Sequence, residues 1–411
     1  MQAENNKNNI IVVVFGCRLN SLEAAKIQTM LAPVVDNAVL VNTCAVTAEA
    51  ERQSAQQIRK IARDNPNAPI FVTGCAASRN PDLFRAIPNA LVIPNDVKMR
   101  LDSYLDAMRN AQIPFSTTEI RAVRPAPNLS KQFIQIQNGC NHKCTYCVTR
   151  LLRGPAVSFE YDAILLDART AVQNGFSEIV LTGIDIASFA RDGMLVSDLC
   201  ARLLADVPEI RRLRLSSMDP ASPEIFKIID MIARDPRMMP HLHLSMQSGS
   251  DAILCAMGRR HNAELVRRIA EYGAAVGVTF SWDIICGFPG ESDEYWAQTT
   301  ALARAVRPIK VHAFPFSPRP DTIAATMPNQ IPRNVSKQRV KEITAIADAA
   351  RAEFMRQNIG QSVQVLIQEN NTARTPHDID VILDGNAAGT RCVATAQLVD
   401  IRDGAFIGRI K

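Results

Sequence analysis

The chain has 411 residues, of which 47% are hydrophobic and 21% charged, a composition typical of folded domains and not of disordered or fibrous chains. Its formal net charge of +5 is only mildly basic, so charge alone neither requires nor excludes a nucleic-acid partner. The ten cysteines show no dense array of pairs, which argues against a disulfide scaffold and favours reduced thiols, and hence a cytoplasmic protein with metal or redox chemistry.

The longest apolar run near the start is Ile10 to Phe15. It is too short to span a bilayer, and no small-residue cleavage site follows it. We therefore expect neither a signal peptide nor a membrane span.

Residues 1–120 alternate short β-branched runs with helical patterns, which predicts a parallel α/β domain. Three of these runs lead into Cys17, Cys44 and Cys75, and each interval is close to one β-α-β step. Because parallel strands end at one edge of a sheet, where open α/β sheets place their ligands, we expect the three thiols to meet there.

A proline-containing polar linker is expected at 121–130, and the α/β alternation resumes over residues 131–350. Six predicted strands in that region indicate a partial β/α barrel, with functional groups in the loops after the strands. The strand sequences are FIQIQ, EIVLTG, RLRLSS, HLHLSM, FSWDIICGF and KVHAFPF. Residues 361–411 change to period-two patterning, which predicts a small all-β barrel.

The loop after the first barrel strand contains Cys140, Cys144 and Cys147 in GCNHKCTYC. Three thiolates from one loop can ligate three irons of a 4Fe-4S cluster and leave the fourth iron open to the amine and carboxylate of S-adenosylmethionine (SAM). The alternative is a zinc site with His142 as a further ligand. A histidine inside so tight a loop more often faces solvent or substrate, so we favour the cluster.

The other three cysteines are a weaker signal singly, since a lone cysteine at a strand end is most often a small buried hydrophobe. All three in register indicate a second three-coordinate cluster, held by Cys17, Cys44 and Cys75, with one iron free for exogenous sulfur.

These motifs resemble those of the radical-SAM methylthiotransferases over nearly the whole chain. FGCRLN, VNTCAVT and VTGCA resemble the three cysteine motifs of that family's N-terminal domain, and residues 137–154 resemble its radical-SAM loop, ending in Arg153 and Gly154. Further matches are LTGID, RLSSMDP, HLSMQSGSD, IICGFPGE and FPFSPRPDT. The C-terminal barrel is similar to a TRAM domain, an RNA-contacting module. Two departures are Ala76, where the family commonly has an aromatic residue, and the loosely TRAM-like turn at 372–378.

Within the family, NTCAVTAEAERQSAQQIRK resembles the subgroup that acts on threonylcarbamoyladenosine beside the tRNA anticodon. The isopentenyladenosine subgroup usually has Arg-Glu shortly after its second cysteine. The ribosomal-protein subgroup, which acts on an aspartate, usually has Pro-Lys after its first cysteine, where Arg18 and Leu19 stand here. Both subgroups remain alternatives, as does a non-enzymatic iron-sulfur or zinc protein that binds RNA.

The resemblance implies two 4Fe-4S clusters and SAM as cofactors. One SAM methylates sulfur at the auxiliary cluster, and another yields the 5′-deoxyadenosyl radical that abstracts hydrogen from C2 of the adenine at position 37. The implied partners are the tRNA anticodon stem-loop and a reduced flavodoxin- or ferredoxin-type electron donor, with neither DNA nor a membrane.

The resemblance also suggests which side chains contact the cofactor and the substrate. Tyr146 packs against the SAM adenine or serves ordinary loop packing. Thr182 and Gly183 end the second strand, where backbone groups bind the methionyl amine. Ser216 and Gln247 end later strands and reach the ribose or carboxylate, and Gly287 and Phe288 flank the adenine. A plain turn or strand-end role competes at each of these positions. Arg150 and Arg153 grip phosphate or the substrate's carboxylate, since a guanidinium binds either bidentately, or else form solvated surface.

Overall fold

A computed structural model describes residues 10–35, 37–111, 130–385 and 389–411 and, for Arg18, the backbone alone. Residues 121–129 of the expected linker lie outside this range. The chain divides into two compact units. The first comprises residues 1–128, 147–155 and 317–322, and the second comprises residues 129–146, 156–316 and 323–411.

The first unit is built on a parallel sheet whose described strands neighbour one another in chain order. They are Ile10–Val14, Ala38–Thr43, Ile70–Gly74 and Ala90–Val92. Its helices are Arg18–Leu31, Ala48–Asp64, Cys75–Arg79, Pro81–Arg85, Leu101–Asn110 and Thr149–Arg153. The sheet is packed against apolar side chains on both faces, which explains why its strands are continuous hydrophobic runs rather than alternating ones.

The second unit contains the predicted partial barrel, whose strands all run parallel. In spatial order they are Gln132–Gln135, Glu178–Thr182, Arg212–Leu215, Ser217–Met218, His241–Gln247, Thr279–Cys286 and Lys310–Pro315. Its third predicted strand is interrupted at Ser216, so the hydrogen bonding falls into two sheets. A parallel bridge between Leu213 and Met238 connects them.

The helices of this unit pack against its strands and loops. They are Tyr161–Gln173, Val196–Asp206, Ile225–Arg234, Asp251–Ala256, Ala263–Ala274, Asp293–Val306 and Arg333–Gln357. Helix Ile225–Arg234 buries isoleucines at positions 225, 228, 229 and 232, the spacing of one helical face. Short 3-10 helices span Ile186–Ser188 and Ile323–Ala325. Two-residue strands pair as Gln137–Asn138 with Val157–Ser158 and as Ala190–Arg191 with Met194–Leu195.

The C-terminal segment forms the expected all-β barrel, which closes on itself. Its strands are Ser362–Ile367, Thr372–Arg374, Asp380–Leu383, Val393–Arg402 and Ala405–Ile410. Thus the predicted order of a parallel α/β domain, a partial β/α barrel and a small β-barrel is confirmed. No helix in the described part of the chain is long and apolar enough to cross a membrane.

A buried ion network ties the small barrel to the amino ends of the larger barrel's strands. Arg212 donates to the carbonyls of Arg374 and Thr375, and Arg214 donates to that of Pro376. The Glu178 carboxylate forms ion pairs with both of these guanidinium groups. The turn at 372–378 therefore has a structural role in the second unit, at the opposite end of the strands from the cysteine loop.

Candidate functional site

Cys17, Cys44 and Cys75 lie at the carboxyl edge of the first unit's sheet, as the sequence predicts. Thr43 pairs with Gly74 in the ladder, so Cys44 and Cys75 are the next residues on neighbouring strands. Gly16 packs directly on Cys44, because a Cβ built on this glycine would stand 2.5 Å from the Cys44 Sγ. Its φ of +89° also favours glycine. The three strand ends therefore converge.

The electrostatics of these thiols fit a group that binds several thiolates at once. Burial, together with the charges of Cys17 and Cys75, raises the pKa of the Cys44 thiol to about 11. The thiols are thus close enough to oppose one another's ionisation. A metal centre that binds the thiolates would displace their protons, and its positive charge would relieve this repulsion. This is the usual coupling between metal binding and thiol deprotonation.

The loop with the other three cysteines runs between the short strand Gln137–Asn138 and helix Thr149–Arg153. Cys140, Cys144 and Cys147 are all half-buried. The Cys140 Sγ accepts from the His142 backbone N–H at 3.4 Å, and the Cys144 Sγ accepts from Arg259 Nη1 at 3.6 Å. Donors aimed at sulfur are among the features that tune iron-sulfur clusters, so these residues fit such a group.

His142 has a different partner from the one that a zinc site requires. Its Nε2 lies 2.7 Å from the Asp185 Oδ2, a hydrogen-bonding distance, and 3.0 Å from Arg260 Nη2. Ligand atoms of Cys140, His142 and Asp185 all lie within 4.8 Å of one another. This set has one sulfur only, whereas structural zinc sites in cysteine-rich loops use at least two. The geometry favours a histidine oriented by a carboxylate.

Four of the candidate SAM contacts lie at the carboxyl ends of barrel strands, as expected from the sequence. The Thr182 carbonyl accepts from Ile136, and the Ser216 N–H donates to Leu181. Gly183 has no room for a side chain, because a Cβ there would stand 2.8 Å from the Gln137 carbonyl oxygen. Gln247 has a φ of +69°. Such a conformation in a non-glycine residue is strained, and strain of this kind concentrates at functional sites.

Gln137 is a site residue that sequence reasoning did not single out. Its Oε1 accepts from the backbone N–H groups of Ile184 and Asp185, and its Nε2 donates to the Gly139 carbonyl at 2.7 Å. The side chain thus links the loop after the second barrel strand to the start of the cysteine loop. The available signal was the second glutamine of the predicted strand FIQIQ, the residue that stands directly before the cysteine loop NGC.

Gly287 and Phe288 have packing contacts in the structure, and their contact with the SAM adenine stays a prediction. Phe288 is fully buried and packs edge-on against Tyr146 and Phe316, with ring centroids 6.4 and 5.5 Å apart. A Cβ on Gly287 would collide with Ser336, and its N–H donates to Glu291 at 2.6 Å. The turn therefore supports Tyr146 from behind, and the half-buried Tyr146 remains the candidate for the adenine.

The two arginines after the cysteine loop have different environments. The Arg153 side chain is 2% exposed and binds both carboxylate oxygens of Glu23, at 2.7 and 3.1 Å. It is thus enclosed within the first unit, in contrast to the expected grip on substrate. Arg150 is half-buried, and among the described residues no acidic side chain pairs with it.

A β/α barrel with a three-cysteine loop after its first strand defines a radical-SAM enzyme. The model of the Radical SAM superfamily matches residues 134–303, and that of the uncharacterized protein family UPF0004 matches residues 9–93. A radical S-adenosylmethionine methyltransferase, TsrM from Kitasatospora setae, has a similar fold, with a TM-score of 0.56 at 16% identity. The alignment covers 75% of this chain and 69% of that one.

Relatives that are similar over nearly the whole chain identify the family within the radical-SAM enzymes. The threonylcarbamoyladenosine tRNA methylthiotransferase MtaB of Rickettsia prowazekii is 37% identical over 404 residues, 96% of this chain and 95% of its own length. A tRNA-2-methylthio-N(6)-dimethylallyladenosine synthase of Erythrobacter litoralis is 29% identical, covering 91% of each chain. The chain belongs to the radical-SAM methylthiotransferase family. It is therefore an enzyme whose cofactors are SAM and 4Fe-4S clusters.

Proposed function

We propose that this enzyme converts N6-threonylcarbamoyladenosine at position 37 of tRNA to its 2-methylthio derivative. The observation that carries the proposal is the 37% identity to the Rickettsia threonylcarbamoyladenosine enzyme along almost the entire chain. The dimethylallyladenosine enzyme is less similar over a comparable length, at 29%. The residues after Cys44 favour the same substrate.

We assign Cys140, Cys144 and Cys147 to the radical-SAM cluster, and the N-terminal triad to the auxiliary cluster. The auxiliary ligands are Cys17, Cys44 and Cys75. When bound, the clusters and SAM supply the radical chemistry that replaces the C2 hydrogen of the adenine by a methylthio group. The chain's own residues bind, orient and exclude water, as is usual where cofactors perform the difficult chemistry.

In the second unit, a polar side chain that positions the backbone and aromatic side chains that pack together bind and orient SAM. Gln137 holds the backbone of Ile184 and Asp185 in place, directly after the strand end at Thr182 and Gly183. This strand end and those at Ser216 and Gln247 present a surface to SAM. Tyr146, supported by Phe288, packs against the adenine of SAM.

Arg150 is our candidate for binding the substrate's carboxylate, since no acidic side chain among the described residues pairs with it. A reduced flavodoxin- or ferredoxin-type protein as electron donor, the anticodon stem-loop as the bound region of tRNA, and a cytoplasmic location complete the proposal.

Nucleoside mass spectrometry of tRNA from cells that lack this gene tests the substrate. We expect 2-methylthio-threonylcarbamoyladenosine to disappear and its precursor to accumulate. A plasmid copy of the wild type, or of Cys255→Ala at an exposed cysteine outside both triads, should restore the mark, whereas the triple variant Cys140→Ala, Cys144→Ala, Cys147→Ala should not.

Two results would contradict the proposal. If 2-methylthio-threonylcarbamoyladenosine persists while the 2-methylthio derivative of dimethylallyladenosine disappears, the substrate of this enzyme is dimethylallyladenosine in tRNA. Purified protein with about one zinc and no sulfide per chain would refute the cluster assignment.

A further inference from the structure

A buried polar network in the first unit begins at Arg153. The guanidinium binds Glu23 through two nitrogens and also donates to the Asn20 Oδ1 at 2.8 Å. The side chains of Arg153, Glu23 and Lys98 are 2%, 4% and 4% exposed. Burying polar and charged groups costs free energy unless each is well paired, and apolar residues could hold a sheet edge without that cost. A cluster of this kind therefore indicates a role beyond stability.

One branch of the network reaches the loops of two cysteines. The Asn20 Nδ2 donates to the carbonyl oxygen of Phe15 at 2.9 Å and to that of Thr43 at 3.0 Å. These residues stand two positions before Cys17 and one position before Cys44. A single side-chain amide thus fixes the distance between both cysteine loops.

The other branch reaches the third cysteine. Lys98 Nζ lies 2.6 Å from a Glu23 oxygen and 3.0 Å from the Asn95 Oδ1. The Asn95 Nδ2 in turn points at the Cys75 Sγ, at 3.8 Å, and at the Leu152 carbonyl, at 3.3 Å. All three cysteine loops are therefore connected to the same buried centre.

The charges in this centre do not balance. Among the described side chains of this network, Arg153 and Lys98 carry two positive charges and Glu23 carries one negative charge, which gives a net charge of +1 beside the cysteines. An excess positive charge is what a site of three thiolates requires.

We propose that Arg153 is a positioning residue for the auxiliary cluster. Through Asn20 and Glu23 it holds the loops of Cys17, Cys44 and Cys75 in place, and its charge offsets that of the thiolate-bound cluster. The inference rests on the proposed ligand assignment. It also gives the Arg-Gly pair after the radical-SAM loop a role at the other cluster, because residues 147–155 belong to the first unit.

The test uses the full chain with Cys140→Ala, Cys144→Ala and Cys147→Ala as the parent, so that only the auxiliary cluster can form. Arg153→Gln, Arg153→Lys and Glu23→Gln are added separately. Arg85→Gln is the control, since that arginine is exposed and pairs only with the exposed Asp82 among its described contacts. Iron and sulfide per chain and the midpoint potential are measured anaerobically, with dithionite supplying the electron.

We expect the parent and Arg85→Gln to hold about four irons, and Arg153→Gln to bind iron about tenfold more weakly, as is typical when an outer-shell partner is lost. The midpoint potential should become more negative in Arg153→Gln, because a nearby positive charge that favours the reduced cluster is gone. It should become more positive in Glu23→Gln, and Arg153→Lys should recover most of the loss.

Equal iron content and potential in Arg153→Gln and the parent would overturn the inference. If Arg153→Gln fails to fold by circular dichroism, an unchanged or more negative potential in Glu23→Gln would overturn it instead. A parent without iron would refute the ligand assignment itself, so the two failures are distinguishable.

Discussion

Glu178 Oε2 lies 2.7 Å from Arg212 Nε, and neither side chain is more than 1% exposed. The two residues face each other on neighbouring parallel strands. Glu178 also pairs with Arg214 at 2.8 Å and with Lys131 at 3.1 Å. One carboxylate thus pairs with three cations where the C-terminal barrel meets the larger one, and Asp378 is a second partner of Lys131. Arg212 and Arg214 also donate to backbone carbonyls of the small barrel.

Glu178→Gln should strongly destabilise the protein. The substitution leaves the buried Arg212 and Arg214 without their shared anion, whereas Lys131 keeps Asp378. Removal of one partner from a buried ion pair typically costs about 3–5 kcal/mol. Anaerobic thermal unfolding should show a clearly lower midpoint. Glu264→Gln is the matched control, because Glu264 is exposed and pairs with exposed Arg267; it should change stability by less than about 0.5 kcal/mol. Similar midpoints for the two variants would contradict this account.

We expect the protein to lose stability in acid because of His377, which lies at the same interface. Burial, together with the nearby charges of Arg214 and Arg212, lowers the pKa of His377 to about 4. An unfolded histidine titrates near its ordinary value, so between about pH 6.5 and pH 4 the unfolded state binds the additional proton. Stability should therefore fall as the pH decreases through that window, by up to about 1.4 kcal/mol per pH unit.

His377→Asn isolates this effect, because an amide can still donate to the Pro240 carbonyl, which His377 contacts at 3.0 Å, but cannot titrate. Unfolding midpoints at pH 7, 5.5 and 4.5 should fall less steeply for the variant than for the wild type. Comparison at each pH cancels the acid lability of the clusters. Parallel curves would show that His377 does not contribute.

Local patterns were sufficient to predict the strand ends and the cysteine positions. The β-branched runs before Cys17, Cys44 and Cys75 each specify a strand. Parallel pairing then brings the strand ends together, without any need to know which side chains touch. The cysteine loop after strand Gln132–Gln135 follows from the same rule.

Partners distant in sequence were not predictable in this way. Arg153 was interpreted as a substrate contact because an arginine after the cysteine loop gives no sign of Glu23, 130 positions earlier. The turn at 372–378 was judged only by its weak similarity to TRAM, whereas its docking depends on Arg212 and Arg214, more than 160 positions away. Such pairs are determined by the packing of complete elements rather than by periodicity.

We expect Arg259 to influence the iron content and the midpoint potential of the radical-SAM cluster. This side chain is 7% exposed, donates to the Cys144 Sγ at 3.6 Å, and is held by the Ser245 carbonyl at 2.8 Å and by Asp219 at 3.2 Å. In a Cys17→Ala, Cys44→Ala, Cys75→Ala background, Arg259→Gln should retain less iron and have a more negative midpoint potential, since a cation beside a cluster ligand is removed.

Arg268→Gln serves as the control for that measurement, because Arg268 is exposed on helix Ala263–Ala274. It should match the triple variant in both iron content and potential. An Arg259→Gln protein that is also indistinguishable from the triple variant would show that the contact with Cys144 has no influence on the cluster.

Arg150 should discriminate the threonylcarbamoyl group. If its guanidinium binds the substrate's carboxylate, Arg150→Gln should weaken binding of an anticodon stem-loop that carries threonylcarbamoyladenosine by about tenfold or more, the usual value of a charge-assisted hydrogen bond. Binding of the same stem-loop with unmodified adenosine should remain unchanged, and Arg150→Lys should have an intermediate effect. Equilibrium titrations at a fixed salt concentration measure both ligands. Equal weakening for the two stem-loops would instead identify a phosphate contact, because the backbone is common to both while the carboxylate is present in only one.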